Sequence, residues 1–382
     1  MSVPLRAAIP QSEWLLDPEC IFLNHGSYGA TPRAVLAEQD RWRERMERHP
    51  TNFMSIELPA ALRAAAASLA SFVNCNGEDL VFIENATVGC NAVLNSLRLA
   101  AGDEILLTDH GYAAVRNAAE HVANKTGARV IEAQIPFPIA NSKNIIEAVA
   151  SRLGPRTRIV ILDHITSPTA IIFPIRELTS LCQSAGAKVL IDGAHGPGML
   201  ALDVPSIGAD WYVGNCHKWL MAPKGSAFFW ADFKRQPETH PLSISHGYGQ
   251  GYTAEFDWTG TRDSSAWLCV PAAIDFCTRI GGSTLRERNL QLARQSAAEL
   301  AGYWHTERGA PDELTGAMAA VRVPHAGPAT IEQSQKLRGW LFETHRIEVA
   351  VNLFAGSLWA RISAQAYNQS ADYQRLAEVF RN

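Results

Sequence analysis

The chain of 382 residues carries little charge and nowhere concentrates it. Asp, Glu, Lys and Arg make up 19% of the sequence, and the formal net charge is −4. That balance excludes the basic field with which proteins hold nucleic acid or an anionic membrane. The densest basic run, Arg41 to Arg48, is broken by Glu44 and Glu47 and reads as a solvated helix face. No apolar run approaches 18 residues without a charge, Gly or Pro, so no membrane span is expected. Met1 to Cys20 has no uninterrupted apolar core behind a basic start, which argues against a secretory signal. Seven cysteines form no CxxC pair, and several sit inside apolar patterns. They read as reduced core thiols of a cytoplasmic protein, and no metal site is expected. GxGxxG and Walker motifs are absent, so neither dinucleotides nor nucleoside triphosphates are favoured.

What is present is an alternation of short apolar runs and amphipathic segments from Asp79 to Trp230. The runs Leu80–Glu84, Glu104–Thr108, Arg129–Ile135, Arg158–Asp163, Lys188–Asp192, Trp211–Gly214 and Ser226–Trp230 read as strands covered on both faces. Between them, Cys90, Val93, Leu94 and Leu97 share a helical face, as do Ile146, Val149, Ala150 and Leu153. A third helix, Ile175 to Cys182, stops at Gly186. This pattern predicts an α/β domain with a mainly parallel sheet. After Ala266 the texture changes: a long helix over Ser283–Tyr303 precedes strand-like Ala317–Val323, Glu348–Leu353 and Ser357–Ser363. The division expected is an N-terminal segment (1–20), a large α/β domain (21–265) and a smaller C-terminal α+β domain (266–382). There is no internal repeat.

Four strand ends carry chemistry. Asn215-Cys216-His217-Lys218 follows a buried strand, and a desolvated lysine is the residue that Schiff-base chemistry requires. Taken alone, such a lysine more often snorkels to solvent. A second strand ends in Asp192-Gly193-Ala194-His195, at the edge where ligands bind to parallel sheets. Beside Lys218, Asp192 is placed to serve the pyridine nitrogen of pyridoxal 5'-phosphate (PLP), whose pyridinium is an electron sink. Alone, it would as readily be a helix cap. His195 could bond the cofactor's phenolic oxygen. Glu84-Asn85-Ala86-Thr87 turns a strand into a helix whose free N–H groups suit a phosphate. Asp109-His110-Gly111-Tyr112 offers an aromatic to stack on the ring, Tyr112 being preferred to His110. Each signal is weak by itself; their convergence at one sheet edge is not.

With these residues in view, the sequence resembles the class V aminotransferase family of fold-type-I PLP enzymes, and most of all its isopenicillin N epimerase branch. The resemblance runs from Ile21 to Asn368. It is carried by Phe22–Ser27, Asn85–Thr87, Asp109–Tyr112, Asp192–His195, His217-Lys218, Asp257–Asp263 and Arg361–Ser363. It implies that Lys218 holds the cofactor and serves as acid and base at the substrate α-carbon. Asp192 would pair with the pyridinium and His195 with the phenolic oxygen. Ala86, Thr87 and His217 would hold the phosphate, helped by Thr261 of a second subunit in a homodimer. Arg361 would bind the substrate α-carboxylate, with Asn24 and His25 at the substrate mouth.

Cysteine desulfurases of this class place a nucleophilic cysteine shortly before the carboxylate-binding arginine. Here the last cysteine, Cys277, lies far upstream of Arg361, which speaks against a persulfide-forming desulfurase. A non-catalytic, PLP-sensing regulator would add a helix-turn-helix, and the motifs start at Asn24. The expected substrate is a small amino-acid-like molecule. Epimerisation or racemisation ranks first among the reactions, then β-elimination by a C–S lyase, then transamination. The epimerase reading also needs a proton donor on the face opposite Lys218, for which His25, Tyr112 and Tyr248 are the candidates.

Overall fold

The computed structural model describes residues 8–324, 327 and 329–380. Seven strands build the central sheet: β1 (Leu80–Ile83), β2 (Glu104–Thr108), β3 (Arg129–Ala133), β4 (Thr157–Asp163), β5 (Lys188–Asp192), β6 (Trp211–Asn215) and β7 (Ala227–Ala231). Their order is β1-β7-β6-β5-β4-β2-β3, and only β7 runs against its neighbours. The mainly parallel sheet expected from the sequence is present, with strand ends within about two residues of those expected.

The apolar runs divide by parity. Leu80, Phe82, Val160 and Leu162 enter the core on one face, whereas Val81, Ile83, Ile159 and Ile161 enter the core on the other. Successive side chains of a strand point to opposite faces, so a run buried on both sides must be continuously apolar. Helices α1 (Ala86–Ser96) and α2 (Ala113–Thr126) cover the second face.

Some local readings shift. In the helix Ser142–Ala150 the buried pair is Ile145 and Val149, not Ile146 and Ala150, and Leu153 lies beyond its end. The stretch Pro50–Phe72 reaches a mean hydropathy of 1.2 over a helical length sufficient to cross a membrane, which the sequence reading did not anticipate. Leu58, Leu62, Ala65, Ala66 and Leu69 of this stretch are buried in the main core, and its Arg63 pairs with Asp257 at 2.6 Å. It packs as a core helix.

A three-stranded antiparallel sheet (Ala350–Phe354, Ser357–Ser363, Met318–Arg322) forms the second core with the helices Gly282–Trp304 and Ser370–Val379. Two segments sit differently from the division read in the sequence. Trp267, Val270, Ala273 and Phe276 belong to the large core, and the smaller one begins only at Leu292. At the other end, Ile21–Phe22 pairs in parallel with Ile347–Glu348, and Leu23 joins the small-domain core. The N-terminal strand is thus stitched to the C-terminal domain, a long-range pairing that local sequence does not signal.

Candidate active site

At the C-terminal edge of β4, β5 and β6 lies a cavity of about 540 Å³, lined among others by Thr87, Tyr112, Asp192, His195, His217 and Lys218. A larger groove of about 710 Å³ lies elsewhere, around Asp103, Arg158 and Lys188, and gathers none of these groups.

Lys218 enters the cavity because β6 ends one turn earlier, at Asn215. Burial, reinforced by the positive charge of Arg361, pushes its amine down to about 8. Its Nζ lies 3.2 Å from Nε2 of His195. The Trp219 indole N–H donates to the other ring nitrogen, Nδ1, at 3.1 Å. Burial holds His195 far below its usual value, so the ring is neutral. With Nδ1 accepting, the proton sits on Nε2, facing Lys218.

Asp192 closes β5. Its Oδ1 accepts the Ala194 N–H at 3.0 Å, while burial raises the carboxyl and Lys218 opposes the rise. The start of α1 is fastened twice. The capping Asn85 Oδ1 accepts the Val88 N–H at 3.0 Å, and the Ala86 N–H donates to Asn215 Oδ1 at 2.9 Å. Ala86 therefore lines the cavity while giving its N–H to the lysine strand, and Thr87 is presented beside it. The His217 Nδ1–H donates to the Ser226 carbonyl at 2.9 Å, which leaves Nε2 for a ligand.

Arg361 comes from the middle of the small-domain strand Ser357–Ser363. Its Nη1 donates to the Ser167 carbonyl at 2.6 Å, and its Nη2 to Ser27 Oγ at 2.7 Å and Asn24 Oδ1 at 3.3 Å. Burial pushes it down to about 10, and Nε is buried without a hydrogen-bond partner among the described residues. No carboxylate of the described residues pairs with it. A buried guanidinium with an unused donor and only neutral partners suits an anion.

Two residues read from the sequence fall elsewhere, and Thr261, expected at the site of a second subunit, lies outside this chain's own cavity. His25 does not line the substrate mouth: it is fully buried, with Nδ1 2.8 Å from the Tyr367 hydroxyl and Nε2 3.0 Å from the Lys218 carbonyl. Burial takes it down to about 3. Tyr248 lies in a different groove beside His240 and Glu255. Thr261 is exposed and lines a neighbouring groove with Arg43, Glu84 and Lys224. Of the two aromatics considered for the ring face, Tyr112 lines the cavity; His110 is buried and bonds Thr169 Oγ1 at 2.7 Å. The sequence reading missed Ser27, Tyr28, Asp163 and Ser167, which line the cavity too. Asp163 had a signal: it ends β4 as Asp192 ends β5.

The class is set by the sheet, the cavity at its carboxyl edge and the lysine closing β6. Residues 28–376 match the family described as aminotransferase class V, and the chain belongs to that family. It is 35% identical over 384 residues to an isopenicillin N epimerase of Streptomyces clavuligerus, covering 96% of this chain and 95% of that protein. It is 32% identical over 392 residues to a probable chloroplastic L-cysteine desulfhydrase of Arabidopsis thaliana, covering 95% and 82%. Among solved structures it resembles a C-DES mutant with glycine covalently linked to its PLP cofactor, with a TM-score of 0.81, 21% identity and coverage of 98% and 99%.

The residues fit that cofactor. A lysine of lowered pKa, a buried acid one strand away, a neutral histidine N–H and a helix start converge on one cavity, and each matches one polar group of PLP. The protein is a PLP-dependent enzyme of class V type.

Proposed function

We propose that this enzyme removes the α-proton of a small amino acid and expels its β-substituent, acting as a C–S lyase. The observation that carries this reading is that Lys218 is the one amine in the cavity, while His25 and Tyr248, two of the three groups considered as a second proton donor, lie outside it. Elimination needs a single base, which can hand its proton on to the departing group. The name of the Arabidopsis relative supports sulfur as that group.

Bound there, PLP would supply an electron sink for chemistry at the substrate α-carbon. Around it, Lys218 holds the cofactor and then takes the α-proton. Asp192 would face the ring nitrogen and favour its protonated form, and the His195 N–H would serve the phenolic oxygen. Thr87 would hold the phosphate, with Ala86 and His217 lining its seat and Tyr112 placed to cover the ring. Arg361 fixes the substrate carboxylate, with its Nε as the unused donor and Asn24, Ser27 and Ser167 steadying its plane.

Epimerisation is the second reading. It is favoured by Tyr112, the remaining candidate donor inside the cavity, and by the 35% identity to an epimerase. Incubation with L-cysteine separates the readings. Elimination yields pyruvate, ammonia and sulfide in equal amounts. Deuterium exchange at the α-carbon with loss of optical purity, and no sulfide, would establish the epimerase. Conversion of an added keto acid to its amino acid would establish a transaminase.

The homodimer with shared sites is likewise a proposal. It rests on Thr261, which is exposed on a segment held by the Arg63–Asp257, Arg262–Glu84 and Arg43–Asp263 pairs and lines a groove beside its own cavity rather than the cavity itself. Sedimentation should give a dimer, and Thr261→Ala should weaken PLP retention. A fully active monomer would exclude sharing.

A further inference from the structure

β4 and β5 are parallel neighbours, and Asp163 pairs in register with Asp192. Neighbours in register point to the same face, with backbones about 4.8 Å apart. Strand parity agrees: Ile159 and Ile161 on β4 and Leu190 on β5 face the core under α1, so Asp163 and Asp192 face that side as well. Both carboxyls are buried, and both line the cavity. The roles proposed above use Asp192 alone. Asp163 also lies beside the residue assigned to the ring face, close enough for the backbone amide of Tyr112 to favour its ionised form. The preceding residue is Gly111, where an added Cβ would stand 3.7 Å from Asp163 Oδ2.

The surrounding groups decide how two adjacent acids share their charge. Burial and then the charge of Asp192 raise Asp163 well above the carboxylate range, against the pull of Lys218. Asp192 is raised as well but has the Ala194 N–H and Lys218 in its favour. The other titratable neighbours are uncharged. Cys90 on α1 is pushed up by burial and by both acids. His164, next along the chain, falls to about 3 and turns its Nδ1 to the Tyr212 hydroxyl at 3.0 Å. The Tyr212 phenol is raised by burial, and His195 is neutral. Two like charges on neighbouring strand ends in a dry site do not both persist, and the pair keeps one proton.

We propose, resting on the cofactor reading above, that Asp163 is a positioning residue that works as a neutral acid. Its O–H donates to the Asp192 carboxylate while its other oxygen accepts the Tyr112 N–H. The group serving the ring nitrogen is thereby tied to the group covering the ring face. No proton is gained or lost by the pair when the cofactor binds, so Asp192 remains the single anion facing the pyridinium.

The test uses the full-length protein and substitutions at the two acids. Asparagine copies the neutral acid at 163, since its NH₂ donates and its carbonyl accepts; alanine removes both contacts. In infrared difference spectra at pH 7, wild type should show the C=O stretch of a protonated carboxylic acid, with or without PLP, and Asp163→Asn should lack it. No such band in wild type overturns the proposal even in protein that never binds PLP. In PLP-loaded protein, Asp163→Asn should keep the visible absorption titration of wild type. Asp163→Ala should shift that titration by about one pH unit and weaken PLP retention about tenfold, the scale of one charge-assisted hydrogen bond. Should the alanine variant fail to fold, Asp163→Asn still decides: a titration displaced as in Asp192→Asn would mean that Asp163 works as an anion and refute the inference. If wild type itself binds no PLP, the cofactor reading fails, whereas the infrared band still reports on the pair.

Discussion

Lys218→Ala is expected to lower turnover by roughly four to six orders of magnitude, the scale on which loss of a covalent nucleophile acts. Borohydride added to the PLP-loaded wild type should fix the cofactor on Lys218, read by mass spectrometry of the digested chain. Lys224 is the natural control. It lies six residues on, is exposed, and reaches no closer partner than Thr31 Oγ1 at 3.5 Å, and it lines a different groove. An adduct on Lys224 would refute the assignment. The amine of Lys218 is held down to about 8, so its neutral, nucleophilic form grows as pH rises through that value. Attachment of PLP to cofactor-free protein should therefore accelerate up to about pH 8 and then level off. An ordinary lysine would continue to gain towards pH 10.

Asp192→Asn should leave the protein folded, lower turnover by several orders of magnitude and weaken cofactor retention. An amide cannot hold the ring nitrogen protonated, and the electron sink fails. Loss of the charge-assisted bond costs about 1.5–3 kcal/mol, or roughly 10- to 150-fold in the dissociation constant of PLP. Retention is measured by dialysis against buffer and turnover with the best amino acid found. Near-normal turnover would mean that another group serves the ring. Asparagine should thus be ruinous at 192 and tolerated at 163, although the two positions are neighbours in register. That contrast reflects one difference: the first residue is used as an anion and the second as a neutral acid.

The central sheet could be read from the sequence because a strand buried on both faces must be apolar at every position, as β4 and β5 are. The polar residues that interrupt such runs at their carboxyl ends then stand out, and Asp192, His195 and Lys218 were found that way. Asp163 obeys the same rule, ending β4 as Asp192 ends β5. Ser27, Ser167 and the seat of Arg361 could not be found so. They meet across the two domains, over separations of 334 residues for Ser27 and Arg361 and 194 for Ser167 and Arg361. His25 misled for a related reason. It neighbours Asn24, which does contact Arg361, but at the start of a helix the two side chains diverge, and the imidazole turns inward to Tyr367.

The strand Ile21–Phe22 pairs with Ile347–Glu348, and a few residues later Asn24 and Ser27 hold the plane of Arg361. The helical turn His25–Tyr28 and the chain's last strand therefore ride on one body, while Lys218 rides on the sheet. The distance from the guanidinium to the amine is then a gauge set by how the two bodies seat on each other. The carboxylate and the α-hydrogen of an amino acid are one carbon apart whatever its side chain. Such a gauge would accept any amino acid by its backbone and leave selection of the side chain to the rim, where Tyr28 and Tyr112 stand partly in solvent.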